Sequence, residues 1–176
     1  GNSLDGTQFM FVNSDAAGNS PTIVLSEKLE SPAINTNLYS SVFLEFDQYY
    51  RDYSLDSGFV EVFNGTSWVI VASYSANMGN WGAPDHQIIN LTPYRNAAMK
   101  VRFRYEDNAI WAWYWALDNI HLYAPQPWDG EMVAITAPQT NCGLGNNELV
   151  TVQITNTGTD TLFNYTLSYR VNGGGI

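Results

Sequence analysis

The stretch WAWYWALDNI at residues 111–120 places four large aromatic rings ahead of one carboxylate. On an extended strand, neighbouring positions face opposite sides of the sheet. Trp113 and Trp115 would therefore share one face, and Tyr114 and Asp118 would share the other. Alanines that alternate with large rings suit the interdigitated packing of a core. We predict that this stretch is the central, last strand of a β-sandwich and is buried on both faces.

A ligand platform is the alternative interpretation of these tryptophans. Exposed indole rings can stack on the apolar faces of sugars, and Trp111 and Trp113 at the start of the stretch are candidates. Trp81 is the stronger candidate, because its segment NMGNWGAPD (77–85) is rich in glycine and lacks the apolar alternation that would bury the ring.

The rest of residues 1–123 has the pattern of an all-β protein. Short alternating runs are separated by clusters of Gly, Asn, Asp, Ser and Pro, which is typical of an antiparallel jelly-roll β-sandwich. Asn64-Gly65 lies between two such runs and predicts a hairpin with a type I′ turn, in which both central residues have positive φ. The predicted strands are 9–14, 22–31, 41–51, 58–64, 67–74, 86–91, 99–106 and 113–123.

A second module follows a short linker. APQPWDG at 124–130 has the proline and glycine content of a linker. Residues 131–176 then show three further runs, at 132–138, 148–158 and 163–173, that suit the first half of an immunoglobulin-like β-sandwich. The sequence stops where a hairpin should turn, so we expect it to be part of a longer chain.

The charge balance limits the partners. Seven Lys and Arg residues stand against 17 Asp and Glu residues, a formal net charge of -10. A field of this sign repels phosphate backbones and anionic lipids, which argues against nucleic acid and membrane partners. The chain has no apolar run of about 18 residues, so membrane insertion is not expected.

The residues offer no convincing catalytic set. Glu45 and Asp47 share a strand face, as the two acids of a jelly-roll glycanase would, but Tyr50 stands where a third acid is needed. A solvent-facing strand surface, or ion pairs of Glu45 and Asp47 with Arg102 and Arg104, are simpler expectations. His86 and His121 lie in no nucleophile motif, and two histidines with one cysteine make a zinc site improbable. We predict that the chain is not an enzyme.

Cys142 is a single cysteine, so no internal disulfide can form. Three interpretations stay open: a buried small apolar residue, half of a disulfide to a residue beyond the sequence, or a nucleophile.

Calcium is the metal that the sequence favours, because it prefers oxygen ligands. Asp118 lies in the middle of the predicted final strand, where a carboxylate must be paired, hydrogen-bonded or bound to a metal. Asp15 lies in the loop SDAAGNS (14–20), which Gly18 allows to turn sharply.

Several segments resemble a known family. They are SDAAG (14–18), LESPAI (29–34), LEFDQYYR (44–51), DSGFVEVFNGTSW (56–68) and WYWALDNIHLY (113–123). Over about residues 1–124 the chain is similar to the MAM-like jelly-roll domains called choice-of-anchor J and to the cleaved-adhesin modules of gingipain-type proteases. The tail from Thr140 resembles CARDB-like and fibronectin-like modules.

The resemblance implies a secreted or surface-anchored bacterial protein, typically of the Bacteroidetes and exported by the type IX system. Such modules accompany a protease, a glycanase or an adhesin, and they usually have another strand or two before the segment matching GNSLDGT. In similar adhesin modules the acid matching Asp118 lies near a structural calcium ion. Asp160-Thr161-Leu162 also matches the short pattern that is glycosylated on threonine in that phylum, which implies O-glycosylation of Thr161.

The sequence therefore predicts a non-catalytic accessory module that mediates adhesion or targeting to an extracellular protein or glycan, joined to the remainder of its parent polypeptide. A carbohydrate-binding module that uses Trp81, and a spacer without a ligand beside a secreted protease, are the alternatives.

Overall fold

The computed structural model describes Ser3, residues 6–18 and residues 24–170. The chain forms two compact units, Gly1–Ala124 and Pro125–Ile176. The first unit also contains a one-turn helix, α1, at Ser14–Ala17 and a 3-10 turn at Thr92–Tyr94. Its strands are β1 (Met10–Asn13), β2 (Ser26–Glu30), β3 (Phe43–Arg51), β4 (Ser57–Phe63), β5 (Trp68–Tyr74), β6 (Asp85–Asn90), β7 (Lys100–Glu106) and β8 (Tyr114–Tyr123).

The eight strands form two four-stranded antiparallel sheets. Sheet I has the order β1-β8-β3-β6, and sheet II has the order β2-β7-β4-β5. Rings from the two sheets meet between them, as where Phe46 of β3 contacts Phe103 of β7 with ring centroids 4.9 Å apart. The first unit is an antiparallel β-sandwich of the jelly-roll type, which confirms the predicted fold class.

Strict alternation on β3 separates the core from the outer face of sheet I. Leu44, Phe46, Gln48 and Tyr50 are buried, whereas the residues between them remain partly accessible. On β7 the predicted inward set, which includes Phe103, is buried as well. The core follows directly from a period of two in the sequence.

Strand β8 lies in the centre of sheet I, as predicted for the last strand. The prediction that it is buried on both faces is wrong, because Asn119, Ile120 and His121 are exposed. Trp115 is 2% exposed, and its Nε1–H donates to Oε1 of Gln48 at 3.0 Å. Gln48 in turn donates from Nε2 to Asp85 at 2.9 Å, so both polar groups in this part of the core are satisfied. Gly58 leaves room for the indole, because a Cβ there would lie 3.0 Å from Trp115. Trp111 does not belong to the strand, which begins only at Tyr114.

The β4–β5 hairpin is confirmed, but its predicted turn type is wrong. Gly65 has a φ of 97°, whereas Asn64 is not among the residues with positive φ. The Asn64 side chain instead accepts hydrogen bonds from the N–H groups of Thr66 and Ser67, both at 2.9 Å. The loop is two residues longer than a type I′ turn, and a side chain caps it.

The arginines of β7 pair within sheet II. Glu61 on β4 is 4% exposed and accepts hydrogen bonds from Arg102 and Arg104. Arg102 also lies over the Trp68 ring at 4.0 Å. The expected pairing of these arginines with Glu45 and Asp47 is wrong, because those acids face outward from the opposite sheet.

The second unit contains two paired strands, β9 (Gly130–Ala137) and β10 (Thr151–Asn156). The predicted third strand at 163–173 is wrong over residues 163–170, which are irregular, and its last three residues lie outside the described part. Cys142 is exposed, so its interpretation as a buried apolar residue is wrong as well. Among the described residues no helix is long and apolar enough to cross a membrane.

Candidate functional site

The outer face of sheet I carries a shallow hollow above Ala116. Ala116 on β8 is the register partner of Phe11 on β1 and of Tyr49 on β3. A methyl group between two large rings leaves space that a longer side chain would fill. The hollow is lined by Ser3, Phe9, Asp47, Gln48, Tyr49, Asn80, Trp81, Pro84, Ala116, Leu117, Asp118 and Asn119.

Aromatic rings form one side of this hollow. Phe9, Tyr49 and Trp81 line it, and Phe11 and Tyr114 pack against Trp81. We call these five rings the aromatic cluster. Trp81 stacks on Tyr114 at 5.7 Å and meets Tyr49 edge-on at 5.1 Å. Trp81 is only half-buried, and Phe11 is 45% exposed, so ring surface remains open to solvent. Hydrogen bonding to Tyr114 and partial burial hold the pKa of Tyr49 above its ordinary value of 10.0, so this phenol remains a donor at neutral pH.

The loop before β6 positions Trp81. Met78 exchanges two backbone hydrogen bonds with Tyr50, which fixes the loop to the end of β3. Gly79 has a φ of 67° and lies so close to its neighbours that a Cβ would be 2.5 Å from the backbone nitrogen of Asp85. Asn80 and Ala83 then close a tight turn through mutual backbone hydrogen bonds. Trp81 lies inside that turn and is held over the sheet.

Carboxylates and an amide form the opposite side of the hollow. Asp47 on β3 is the register partner of Asp118 on β8, where the strand bulges and Asn119 has a φ of 51°. Asn119 donates from Nδ2 to Oδ2 of Asp47 at 2.8 Å, and its N–H donates to Oδ1 of Asp118 at 2.9 Å. His86 on β6 meets the other oxygen of Asp47 at 2.8 Å. Hydrogen-bonding groups in fixed positions thus adjoin the rings.

The structure places the predicted platform residues in two locations. Trp81 lies at the hollow. Trp111 is 50% exposed and donates from Nε1 to the carbonyl of Asp15 at 3.1 Å. Trp113 packs beneath the Arg51 guanidinium at 4.3 Å. Neither of these two tryptophans lines the hollow, so the predicted set does not form a single platform.

The predicted metal ligands lie apart. Asp15 follows Asn13, the register partner of Tyr114, whereas Asp118 lies four residues farther along β8, about 13 Å away at the rise of a strand. Within the described residues, no group of three or more His, Cys, Asp or Glu side chains is arranged to hold a metal ion. Asp15 and Asp118 do not fit one shared calcium site. Calcium binding at Asp118 itself stays a prediction.

The remaining candidates occupy separate positions. Glu45 and His121 form an outward-facing pair at 3.1 Å, farther along the same sheet face. His121 is exposed and stacks on Tyr123 at 5.1 Å. Thr161 belongs to the second unit, where it is exposed in an irregular segment. The exposure of Thr161 is compatible with O-glycosylation, which stays a prediction.

Sequence reasoning missed most of the aromatic cluster. Tyr49 and Tyr114 lie on outward positions of β3 and β8, and a signal for them was present in the alternation that predicted the core. Phe11 belongs to a short edge strand that pairs with β8 over only four residues, and Phe9 lies just before that strand. Only the register brings these rings beside Trp81.

Similarity to known proteins is found at the level of structure. No family model matches the chain, and no curated protein matches it. A carbohydrate-binding module solved in complex with beta-1,4-galactotriose, TmCBM61, aligns with a TM-score of 0.35 and 13% sequence identity. The alignment covers 66% of this chain and 81% of that one. At this TM-score the similarity carries no argument about ligand or activity.

Proposed function

We propose that the first unit is a non-catalytic glycan-binding module and that the hollow above Ala116 is its binding site. The observation that carries the proposal is the juxtaposition, on one accessible sheet face, of the aromatic cluster with Asp47, Asp118 and Asn119. This is the carbohydrate-binding alternative of the sequence analysis, with Tyr49 and Tyr114 in place of Trp111 and Trp113.

The chemistry of a sugar ring suits both sides of the hollow. A pyranose has an apolar face of C–H groups, which packs favourably on the electron-rich face of an aromatic ring. Its edge carries hydroxyl groups, which donate to carboxylates and accept from amides. Trp81 and Asp118 line the same hollow and would meet these two parts of one sugar. Both are held in place before binding, which lowers the entropic cost of association.

The module would act in a secreted or cell-surface multidomain protein, where glycan binding provides adhesion or targeting. The resemblance of WYWALDNIHLY to choice-of-anchor J and cleaved-adhesin modules supports this setting, and the excess of acidic residues is compatible with it. We also propose that the first unit belongs to that family and that its parent protein carries a protease or glycanase.

Glycan-array binding by the whole chain and two variants tests the proposal. Trp81→Ala removes the central ring, and Asp118→Asn keeps the shape of the side chain while removing its charge. We expect Trp81→Ala to weaken glycan binding at least tenfold, or about 1.4 kcal/mol. Trp128→Ala serves as the control, because Trp128 is a 65% exposed tryptophan of the second unit. Equal binding by Trp81→Ala and wild type, or binding to protein ligands alone, would contradict the proposal.

A further inference from the structure

The outer face of sheet I carries a second group of rings beyond the hollow. Tyr123 at the end of β8 stacks on Phe43 at 5.8 Å with an angle of 26° between the ring planes. His121 stacks on the same Tyr123 ring at 5.1 Å. We call Phe43, His121 and Tyr123 the far patch. Ile88 on β6 adjoins it and is 56% exposed.

Polar groups connect the two aromatic regions along β3. Tyr49 belongs to the aromatic cluster and Phe43 to the far patch, and they lie six positions apart on one continuous strand, or about 20 Å. The outward positions between them are Asp47 and Glu45, which bind His86 and His121. The order along the strand is therefore rings, hydrogen-bonding side chains, and rings again.

From this order we infer that the face binds an extended oligosaccharide along β3 and β8, with the far patch as a second sugar subsite. The inference rests on the proposed glycan-binding function. A single sugar would need only the hollow, whereas a ring group about 20 Å away on the same face becomes useful only to a chain that reaches it. Two linked contacts also raise affinity, because the second forms at high effective concentration.

The negative charge of this sheet face determines which class of oligosaccharide it can bind. Glu45, Asp47 and Asp118 all lie on its outward side. Carboxylates accept hydrogen bonds from sugar hydroxyls but repel uronate and sulfate groups. The ligand is therefore a neutral oligosaccharide.

Titration calorimetry on the whole chain tests the length dependence. The probes are neutral oligosaccharides of two to six units from the polysaccharide that binds best on the array, with oligogalacturonides as the anionic counterpart. We expect the affinity to rise at least tenfold between the disaccharide and the hexasaccharide. Tyr123→Ala should lower hexasaccharide affinity at least fivefold and leave the disaccharide unchanged, whereas Trp81→Ala should weaken both.

Ile88→Ser gives a second readout that does not disturb the ring stack. It should also lower hexasaccharide affinity, whereas the matched Ile70→Ser, at a 51% exposed isoleucine of β5 in the other sheet, should not. If glycans bind but Tyr123→Ala and Ile88→Ser leave hexasaccharide affinity intact, the second subsite is wrong, whereas the proposed binding site in the hollow is retained. Preferred binding of oligogalacturonides would overturn the neutral class. If no neutral or anionic glycan binds, the proposed glycan-binding function is itself wrong.

Discussion

Asn119 joins two carboxylates that face each other across the centre of sheet I. Its side chain donates to Asp47 at 2.8 Å, and its backbone N–H donates to Asp118 at 2.9 Å. Like charges on opposite positions of neighbouring strands destabilise a sheet unless something offsets them. The bulge with Asn119 at positive φ provides both donors at the place where they are needed.

Two replacements of Asn119 should separate the contribution of its side-chain hydrogen bond from that of its backbone conformation. Asn119→Ala loses the hydrogen bond to Asp47 and puts alanine, which tolerates positive φ less well than asparagine, at a φ of 51°. We therefore expect a loss of about 1–2 kcal/mol in the free energy of unfolding. Asn119→Gly keeps the backbone conformation at no steric cost and should lose less. Urea denaturation measures both variants, and an equal loss in the two would show that the backbone conformation is unimportant.

Gly79 should tolerate no side chain. A Cβ there would lie 2.6 Å from the Gln48 carbonyl and 2.5 Å from the Asp85 nitrogen, so Gly79→Ala must displace backbone. We expect a loss of about 2–4 kcal/mol and weaker glycan binding, because the same loop carries Trp81. Gly82→Ala is the matched control, since its Cβ would meet only the Asn80 side chain at 3.5 Å. Differential scanning calorimetry measures the melting temperature of both variants. Similar melting temperatures for the two would contradict the close packing described for Gly79.

Glu61 should make stability depend on acid pH. Burial pushes its pKa up, but hydrogen bonds from Arg102 and Arg104 outweigh this and lower the pKa below the ordinary 4.5. The stabilisation is therefore complete above pH 4.5 and is lost as the pH falls through the lowered pKa. Glu61→Gln should cost about 3 kcal/mol at neutral pH, because two arginines lose a buried partner.

The control for Glu61 is Glu30→Gln, the same chemical change at the exposed pair with Lys100. Exposed pairs contribute about 1 kcal/mol or less, so this variant should unfold almost as wild type does. Comparable losses for the two variants in urea denaturation at pH 7 would contradict the buried network.

Asp52 should show the opposite pH dependence. Burial and the neighbouring charge of Asp56 raise its pKa above the ordinary 3.8, and its Oδ1 is buried without a hydrogen-bond partner. The folded state then binds a proton more tightly than the unfolded state, so this residue adds stability as the pH falls from neutral through the raised pKa. Asp52→Asn should be more stable than wild type at pH 7, and its advantage should shrink towards pH 4. Identical pH profiles in thermal melts would refute this.

Calcium at Asp118 has a direct test. A ligand that binds only the folded state raises its apparent stability, so calcium should raise the melting midpoint of the wild type but not that of Asp118→Asn. Asp15→Asn should behave as wild type, because Asp15 lies elsewhere on the unit. A wild-type midpoint that is the same in calcium and in EDTA would remove the predicted ion.

Periodicity made most of the fold predictable. Alternation in LEFDQYYR and VRFRYE places every second residue in the core, and the structure buries Phe46 and Phe103 accordingly. The last strand of a jelly roll lies centrally, and the alternation of rings with alanines in this stretch predicts packing in the core; Trp115 is indeed buried in sheet I. A period of two is a local property, so the sequence alone reveals it.

The site was harder to predict because it depends on register. Trp81 was found by its unusual context, but its partners Tyr49 and Tyr114 are 32 residues or more away in sequence. Trp111 and Trp113 were grouped with the strand, although the strand begins after them. For the same reason the sequence did not show that Asp15 and Asp118, both candidate calcium ligands, lie apart, since local patterns do not say which ends of two strands meet.

The alternation of β8 lets two kinds of change accumulate independently. Trp115 and Leu117 support the sandwich, whereas Tyr114, Ala116 and Asp118 alternate with them on the outer face, where Ala116 and Asp118 line the hollow. Substitutions at the outward positions of β8, which are even-numbered before the bulge at Asn119 and odd-numbered after it, can therefore reshape recognition while the fold persists. This is the condition under which a binding surface diversifies readily. A one-residue insertion or deletion before Trp115 would instead exchange the two sets and abolish folding and binding together.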